Sequence, residues 1–156
     1  MMKKSLYIFL FLGLIGCKSS DLAIKSSDIT IQYRDDFKSI SDKEKLSFLK
    51  ENNATSENKS VVLLTQGFKG EKIMIKQNDK TIYSSYPITN LNTKIADYIA
   101  FSNAYEVIVF DNFAKKEIQI PSDKSKKYKF IYLMKEYKDS NIKYSITYSN
   151  TLRPLK

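Results

Sequence analysis

From Ser60 onward the chain is cut into short apolar or alternating runs, each bounded by turn residues and none with the length and period of a long helix. The runs fall at 61–65, 72–77, 81–86, 95–101, 105–111, 117–120, 128–136 and 142–148. The turn signals between them are short: Gln66-Gly67, Asn78-Asp79, Ser102-Asn103 and Asp139-Ser140-Asn141. Such spacing predicts hairpins and sequential antiparallel pairing. Ile142, Tyr144, Ile146 and Tyr148 alternate with Lys143, Ser145 and Thr147, the pattern of a strand buried on one face. The runs 105–110 and 130–134 are apolar at successive positions, which suits interior strands covered on both faces.

Upstream, Ile29, Ile31 and Tyr33 alternate with Thr30 and Gln32 and predict a first strand over 28–34. Ser41-Asp42-Lys43-Glu44 has the form of a capping box and predicts a helix over 42–51. Leu46 and Leu49, with Phe48 beside them, supply its apolar stripe, and Asn52-Asn53 favour its end. About nine strands in one domain cannot form a single flat sheet with a covered face. The expected fold is mainly β: an antiparallel β-sandwich with one short N-terminal helix, a small antiparallel β-barrel being the alternative.

Composition narrows the chemistry. With 42% hydrophobic and 28% charged residues the chain is ordinary for a folded globular protein, and one domain fits its 156 residues. There is no histidine, no tryptophan and a single cysteine, which removes Ser-His-Asp and Cys-His sites, Cys/His zinc sites and any intrachain disulfide. No phosphate-binding glycine loop, Gly-x-Ser-x-Gly elbow or Ser-x-x-Lys motif is present. Asp35-Asp36 and the Asp111-Asn112 step do not match a calcium loop. No cofactor, metal site or catalytic residue is expected.

The first residues read as an export peptide. Lys3 and Lys4 give a basic start, residues 6–15 are apolar apart from Gly13, and Gly16 precedes Cys17. At ~1.5 Å per helical residue, that run spans about half of a bilayer's hydrocarbon core, too little for an ordinary transmembrane helix. The quartet Leu14-Ile15-Gly16-Cys17 resembles the lipobox of bacterial lipoproteins. The resemblance covers the first twenty residues or so and is silent about the folded part. It implies cleavage after Gly16, a diacylglyceryl group on the Cys17 thiol, and in many bacteria a further acyl chain such as palmitate on the new amino terminus. Two or three acyl chains make a stable anchor, where one is marginal. The expected division is a signal peptide over 1–16, a polar tether over 17–27 and one β-rich domain over 28–156. Ten tether residues at ~3.3 Å each reach about 33 Å at most. Lys18 stands where the family's inner-membrane retention signal would place an aspartate, so the resemblance implies the outer rather than the inner membrane of the cell envelope.

The formal charge is +9, and loss of Lys3 and Lys4 lowers it by two, to +7. For an exported, membrane-anchored protein the polyanions within reach are lipid headgroups and envelope polymers, not nucleic acid. The densest basic cluster is Lys115, Lys116, Lys124, Lys126, Lys127 and Lys129; it reads either as a solvating surface or as a contact for an anionic partner. Gly67 and Gly70 bracket Phe68 and Lys69. Either Phe68 projects from a flexible tip towards a partner, or the glycines shape the turn and Phe68 folds back on the core. The abundant tyrosines are expected mostly in packing.

These readings converge on a lipid-anchored envelope protein that binds or scaffolds another envelope component without catalysis. Cys17 is its lipidation site, and Phe68, Lys69, Lys126 and Lys127 are its candidate partner contacts. A carboxylate-dependent glycan or cell-wall hydrolase would need two Asp/Glu side chains some 5–10 Å apart in a cleft. A structural accessory subunit of an envelope complex would need a broad exposed apolar patch.

Overall fold

The computed structural model describes residues 28–138 and 141–155; the signal peptide and tether expected over 1–27, with Cys17, lie outside them. Nine strands and two helices follow in chain order: β1 (Ile29–Tyr33), α1 (Asp42–Glu51), β2 (Lys59–Leu64), β3 (Ile73–Gln77), β4 (Lys80–Ser85), β5 (Asp97–Ser102), β6 (Val107–Asp111), β7 (Lys116–Ile120), α2 (Ser122–Ser125), β8 (Phe130–Lys138) and β9 (Asn141–Ser149). They form a five-stranded sheet, β1-β9-β8-β2-β5, and a four-stranded sheet, β4-β3-β6-β7. The two sheets pack as a β-sandwich and no closed barrel forms.

The expected strands are present, but sequential antiparallel pairing holds only for the hairpins β3-β4, β6-β7 and β8-β9. β1 runs parallel to β9 and β2 parallel to β8, while β5 returns antiparallel to β2. The chain twice leaves the five-stranded sheet to build half of the other one, and these excursions supply the long crossovers that parallel pairing needs. A turn residue reports that the chain reverses, not which neighbour it then takes. Asn78 and Asp79, with φ of 48° and 60°, form the two-residue turn of the β3-β4 hairpin.

The main core lies between the sheets. Val62 and Leu64 of β2, Ile131 and Leu133 of β8, and Tyr144, Ile146 and Tyr148 of β9 meet Ile73 and Ile75 of β3, Val107 and Val109 of β6, and Ile118 and Ile120 of β7. A second core covers the outer face of the five-stranded sheet, where Val61, Leu63, Phe130 and Tyr132 lie under Phe48 and Leu49 of α1, Ala54 and Leu152. This explains why β2 and β8 read as continuous apolar runs. β6 is different: Val107 and Val109 face the core, but Ile108 and Phe110 are only half-buried, because among the described residues no layer covers the outside of the four-stranded sheet.

The α1 capping box forms as expected: Glu44 N donates to Ser41 Oγ at 3.3 Å and Ser41 N donates to Glu44 Oε2 at 3.0 Å. Phe48 and Leu49 of the expected stripe are buried, but Leu46 is not part of it. Leu46 is 48% exposed, and the face turned to the sheet runs through Lys45, Phe48, Leu49 and Asn52, with the Lys45 ammonium 5.4 Å from the centre of the Phe130 ring. Asn53, at φ 51°, ends the helix as the paired asparagines suggested. Among the described residues, no helix is long and apolar enough to cross a membrane.

Candidate functional site

A cleft of about 240 Å³ opens on the part of the outer face of the five-stranded sheet that α1 leaves uncovered. Strand register builds its base. Gln32, Thr147 and Tyr132 form one row across β1, β9 and β8, and Ser145 and Met134 lie two residues along. The chain leaving β1 contributes Arg34 and Phe37, the C-terminal tail contributes Arg153, and Lys94 adds a third cation. Among the described residues no Asp or Glu lines the cleft.

The two arginines differ. Arg34 makes a two-pronged pair with Asp36, at 2.9 and 3.0 Å, and is neutralised there. The Arg153 guanidinium lies 4.2 Å from the centre of the Tyr132 ring and 5.2 Å from that of Phe37, and among the described residues no carboxylate pairs with it. Tyr132 is locked in place: its hydroxyl donates to Thr151 O at 2.8 Å and accepts from Arg153 N at 3.1 Å. Burial pushes the Tyr132 hydroxyl's pKa up against the lowering influence of Arg153, so it stays neutral. A ring-stacked guanidinium among hydroxyls and amides is equipped to take the oxygens of a carboxylate or phosphate.

A second basic depression, about 420 Å³, lies near α2 and gathers Lys45, Lys59, Lys126, Lys127 and Lys129, with Glu57 as its acidic member. Lys126 and Lys127 are exposed there. Lys129 and Lys45 are partly committed to the fold: Lys129 donates to Ser56 O and Lys59 O, each at 2.8 Å, and Lys45 donates to Asn150 O at 2.9 Å. Burial, then the neighbouring Lys45, lower the Lys129 pKa.

Phe68 is 2% exposed and belongs to the main core, so it does not project from a tip towards a partner. Gly67 and Gly70, at φ 89° and 94°, turn the chain so that the ring folds inward. Lys69 remains exposed, its ammonium 3.9 Å from the centre of the Tyr137 ring.

Sequence reasoning missed a buried ionic cluster between the sheets. The Lys135 ammonium binds Asp111 at 2.6 Å and also binds Glu71, while Tyr144 donates to Asp111 Oδ2 at 2.7 Å. Asp111 Oδ1 accepts from the backbone of Phe113 and Ala114 at 2.9 and 3.0 Å, and Glu71 Oε2 accepts from Lys69 N at 2.8 Å. Burial alone would raise both carboxyl pKa values, but the Lys135 ammonium and these donors outweigh it and hold both below the ordinary carboxylate range. The same partners outweigh burial at Lys135 and raise its pKa. The carboxylates of Asp111 and Glu71 are thus drawn together, yet neither lines any of the described depressions.

The period-2 rule carried a signal for this cluster. Lys135 continues the inward series of Ile131 and Leu133, and Asp111 that of Val107 and Val109. Arg153, in a tail without regular structure, had none. Asp35 is also occupied, its Oδ1 accepting from Ser149 Oγ at 2.8 Å and Asn150 N at 2.5 Å, and among the described residues no group of His, Cys, Asp and Glu is arranged to hold a metal. The chain matches no known protein family and no curated protein sequence.

Proposed function

We propose that this chain is a bacterial envelope lipoprotein, anchored by acyl groups on Cys17, whose β-sandwich binds a carboxylate or phosphate group of another envelope component in the Arg153 cleft. The observation that carries the binding reading is the Arg153 guanidinium, stacked on Tyr132 and without a carboxylate partner among the described residues. A cation held on an aromatic face loses little freedom when it captures an oxyanion, and its planar fork matches two oxygens at once. At about 240 Å³ the cleft accommodates a charged group at the end or side of a larger molecule better than a whole drug-sized ligand. The anchor reading is supported by the Leu14-Ile15-Gly16-Cys17 quartet behind a basic and apolar start, and Lys18 favours the outer membrane.

Binding is preferred over carboxylate-dependent hydrolysis for a physical reason. Asp111 and Glu71 are close together, but Lys135 neutralises both, and side chains only 1% and 8% exposed leave no open cleft between them for a glycan.

The test is a nuclear magnetic resonance titration with pyrophosphate in one arm and glutarate in the other. Either ligand should shift the Arg153 Nε–H and Tyr132 ring signals, and the stronger arm identifies the preferred oxyanion. Arg153→Ala should keep the fold and lose roughly tenfold or more in affinity, about the value of one charge-assisted contact. Unshifted cleft signals in both arms would refute the binding reading.

A further inference from the structure

One end of the sandwich is fixed by strand register. In the four-stranded sheet the start of β3, the end of β6 and the start of β7 lie together, with Ile73 opposite Asp111 and Asp111 opposite Lys116. In the five-stranded sheet the end of β8 lies beside the start of β9, with Lys138 opposite Asn141, and the start of β1 runs alongside. The Lys135–Asp111 and Lys116–Asp28 ion pairs join the two sheets there. Asp28 is the first described residue, so the chain from Cys17 enters the domain at this end.

The same end carries a concentration of exposed large apolar side chains. Phe113, in the β6-β7 turn, is 67% exposed; Ile88 is 67% and Leu91 78% exposed; Tyr86 and Tyr137 are also exposed. Contacts among these residues make this one surface. Phe113 and Tyr137 flank the Lys135 ammonium, at 5.5 and 5.2 Å from their ring centres, Lys69 stacks on Tyr137, and Lys69 bridges to Ile88. A largely apolar depression of about 510 Å³ continues from Lys69 and Ile88 to Leu91 and Lys94. Lys69 and Lys94 line it, and Lys72, just before β3, and Lys115, in the β6-β7 turn, stand at the same end; none of the four is ion-paired among the described residues. The opposite end also has lysines, but among the described residues the large apolar side chains exposed near strand ends there are only Tyr33 and Tyr105.

Aromatic rings and aliphatic tips ringed by lysines match the chemistry of a bilayer interface, where rings rest at headgroup depth and ammonium groups meet phosphates. A tether of ten residues, at ~3.3 Å each, keeps the point where the chain enters the domain within about 33 Å of the anchored sulfur. We propose that this end, centred on Phe113, Tyr137, Ile88 and Leu91, docks on an anionic phospholipid bilayer and orients the domain on it. The proposal rests on the acyl-anchor reading above and deepens it: the anchor supplies proximity, and this face supplies orientation.

The absence of tryptophan gives the test a clean reporter. The acylated, full-length mature protein carrying Phe113→Trp is reconstituted into vesicles of phosphatidylethanolamine with a minority of phosphatidylglycerol, with Tyr105→Trp at the opposite end as the comparison. Flotation with the vesicles reads the anchor; emission wavelength and quenching by brominated acyl chains read the face. Docking predicts a blue-shifted, strongly quenched signal from Phe113→Trp and a water-like signal from Tyr105→Trp. It also predicts that adding Lys69→Glu and Lys115→Glu removes the quenching while flotation persists. Flotation with a water-like Phe113→Trp signal overturns the docking face and leaves that surface to a protein partner, with the anchor intact. Failure of the protein to float overturns the anchor and the docking proposal together.

Discussion

Lys135 is the residue on which the interior depends most. It is 1% exposed, and its charge is acceptable there only because Asp111 and Glu71 bind it while Tyr144 and backbone amides occupy the remaining oxygens. Lys135→Met removes the cation and strands two carboxylates, so equilibrium urea unfolding at neutral pH should show a loss of about 3–5 kcal/mol. The pH dependence follows from the pKa directions. Asp111 and Glu71 are held below their ordinary 3.8 and 4.5, so their contribution is present above those values and is lost as pH falls through the lower folded-state values. Lys135 is raised above 10.5, so its contribution is present below that value and is lost only as pH climbs past the folded-state value. In Lys135→Met, burial acts on the carboxylates without the ammonium, and protonation relieves it. The deficit of the variant against the wild type should therefore shrink between neutral pH and about pH 4; an undiminished deficit would contradict this account of the cluster.

Gly67 shows how tightly the loop closes over the same region. A β-carbon there would meet Lys135 O at 1.8 Å, and φ is already 89°. Gly67→Ala should cost about 2–3 kcal/mol in thermal or urea unfolding, more than the turn conformation alone would explain. A near-neutral result would mean that the loop has another conformation open to it.

At the scale of elements, local signals and long-range pairing separate cleanly. The capping box places the start of α1, and Ser41→Ala should destabilise the domain by about 1 kcal/mol, measured by urea unfolding with an unchanged m-value. The paired asparagines and the alternation in β9 are equally local, which is why they could be read before the fold was known. The helix face could not: Lys45 and Asn52 belong to the buried stripe through their stems and caps, while Leu46 points away. Strand order was hidden for a related reason. β2 takes β8 as a neighbour from far along the chain, and nothing in either run names the other. The candidate sites divide in the same way. Lys126 and Lys127 were visible as a charge cluster and do line a basic depression, whereas Phe68 was visible only as an aromatic between glycines, a pattern equally compatible with an inward ring. The Arg153 cleft needs β1, β8, β9 and the tail assembled before it exists.

At the scale of the whole molecule, the docking end and the Arg153 cleft are neighbours that share Gln66 and Lys94 at their common edge. The end where the chain enters from Cys17 carries apolar tips and lysines, while the Arg153 cleft opens on the outer face of the five-stranded sheet. This arrangement has a purpose only if the chain is fixed to a membrane through its single cysteine. The most direct measurement is the intact mass and N-terminal fragmentation of the protein extracted from cell membranes. The account predicts a chain that begins at Cys17 and carries a diacylglyceryl group on its sulfur; a chain that retains residues 1–16 with a free Cys17 thiol would contradict it.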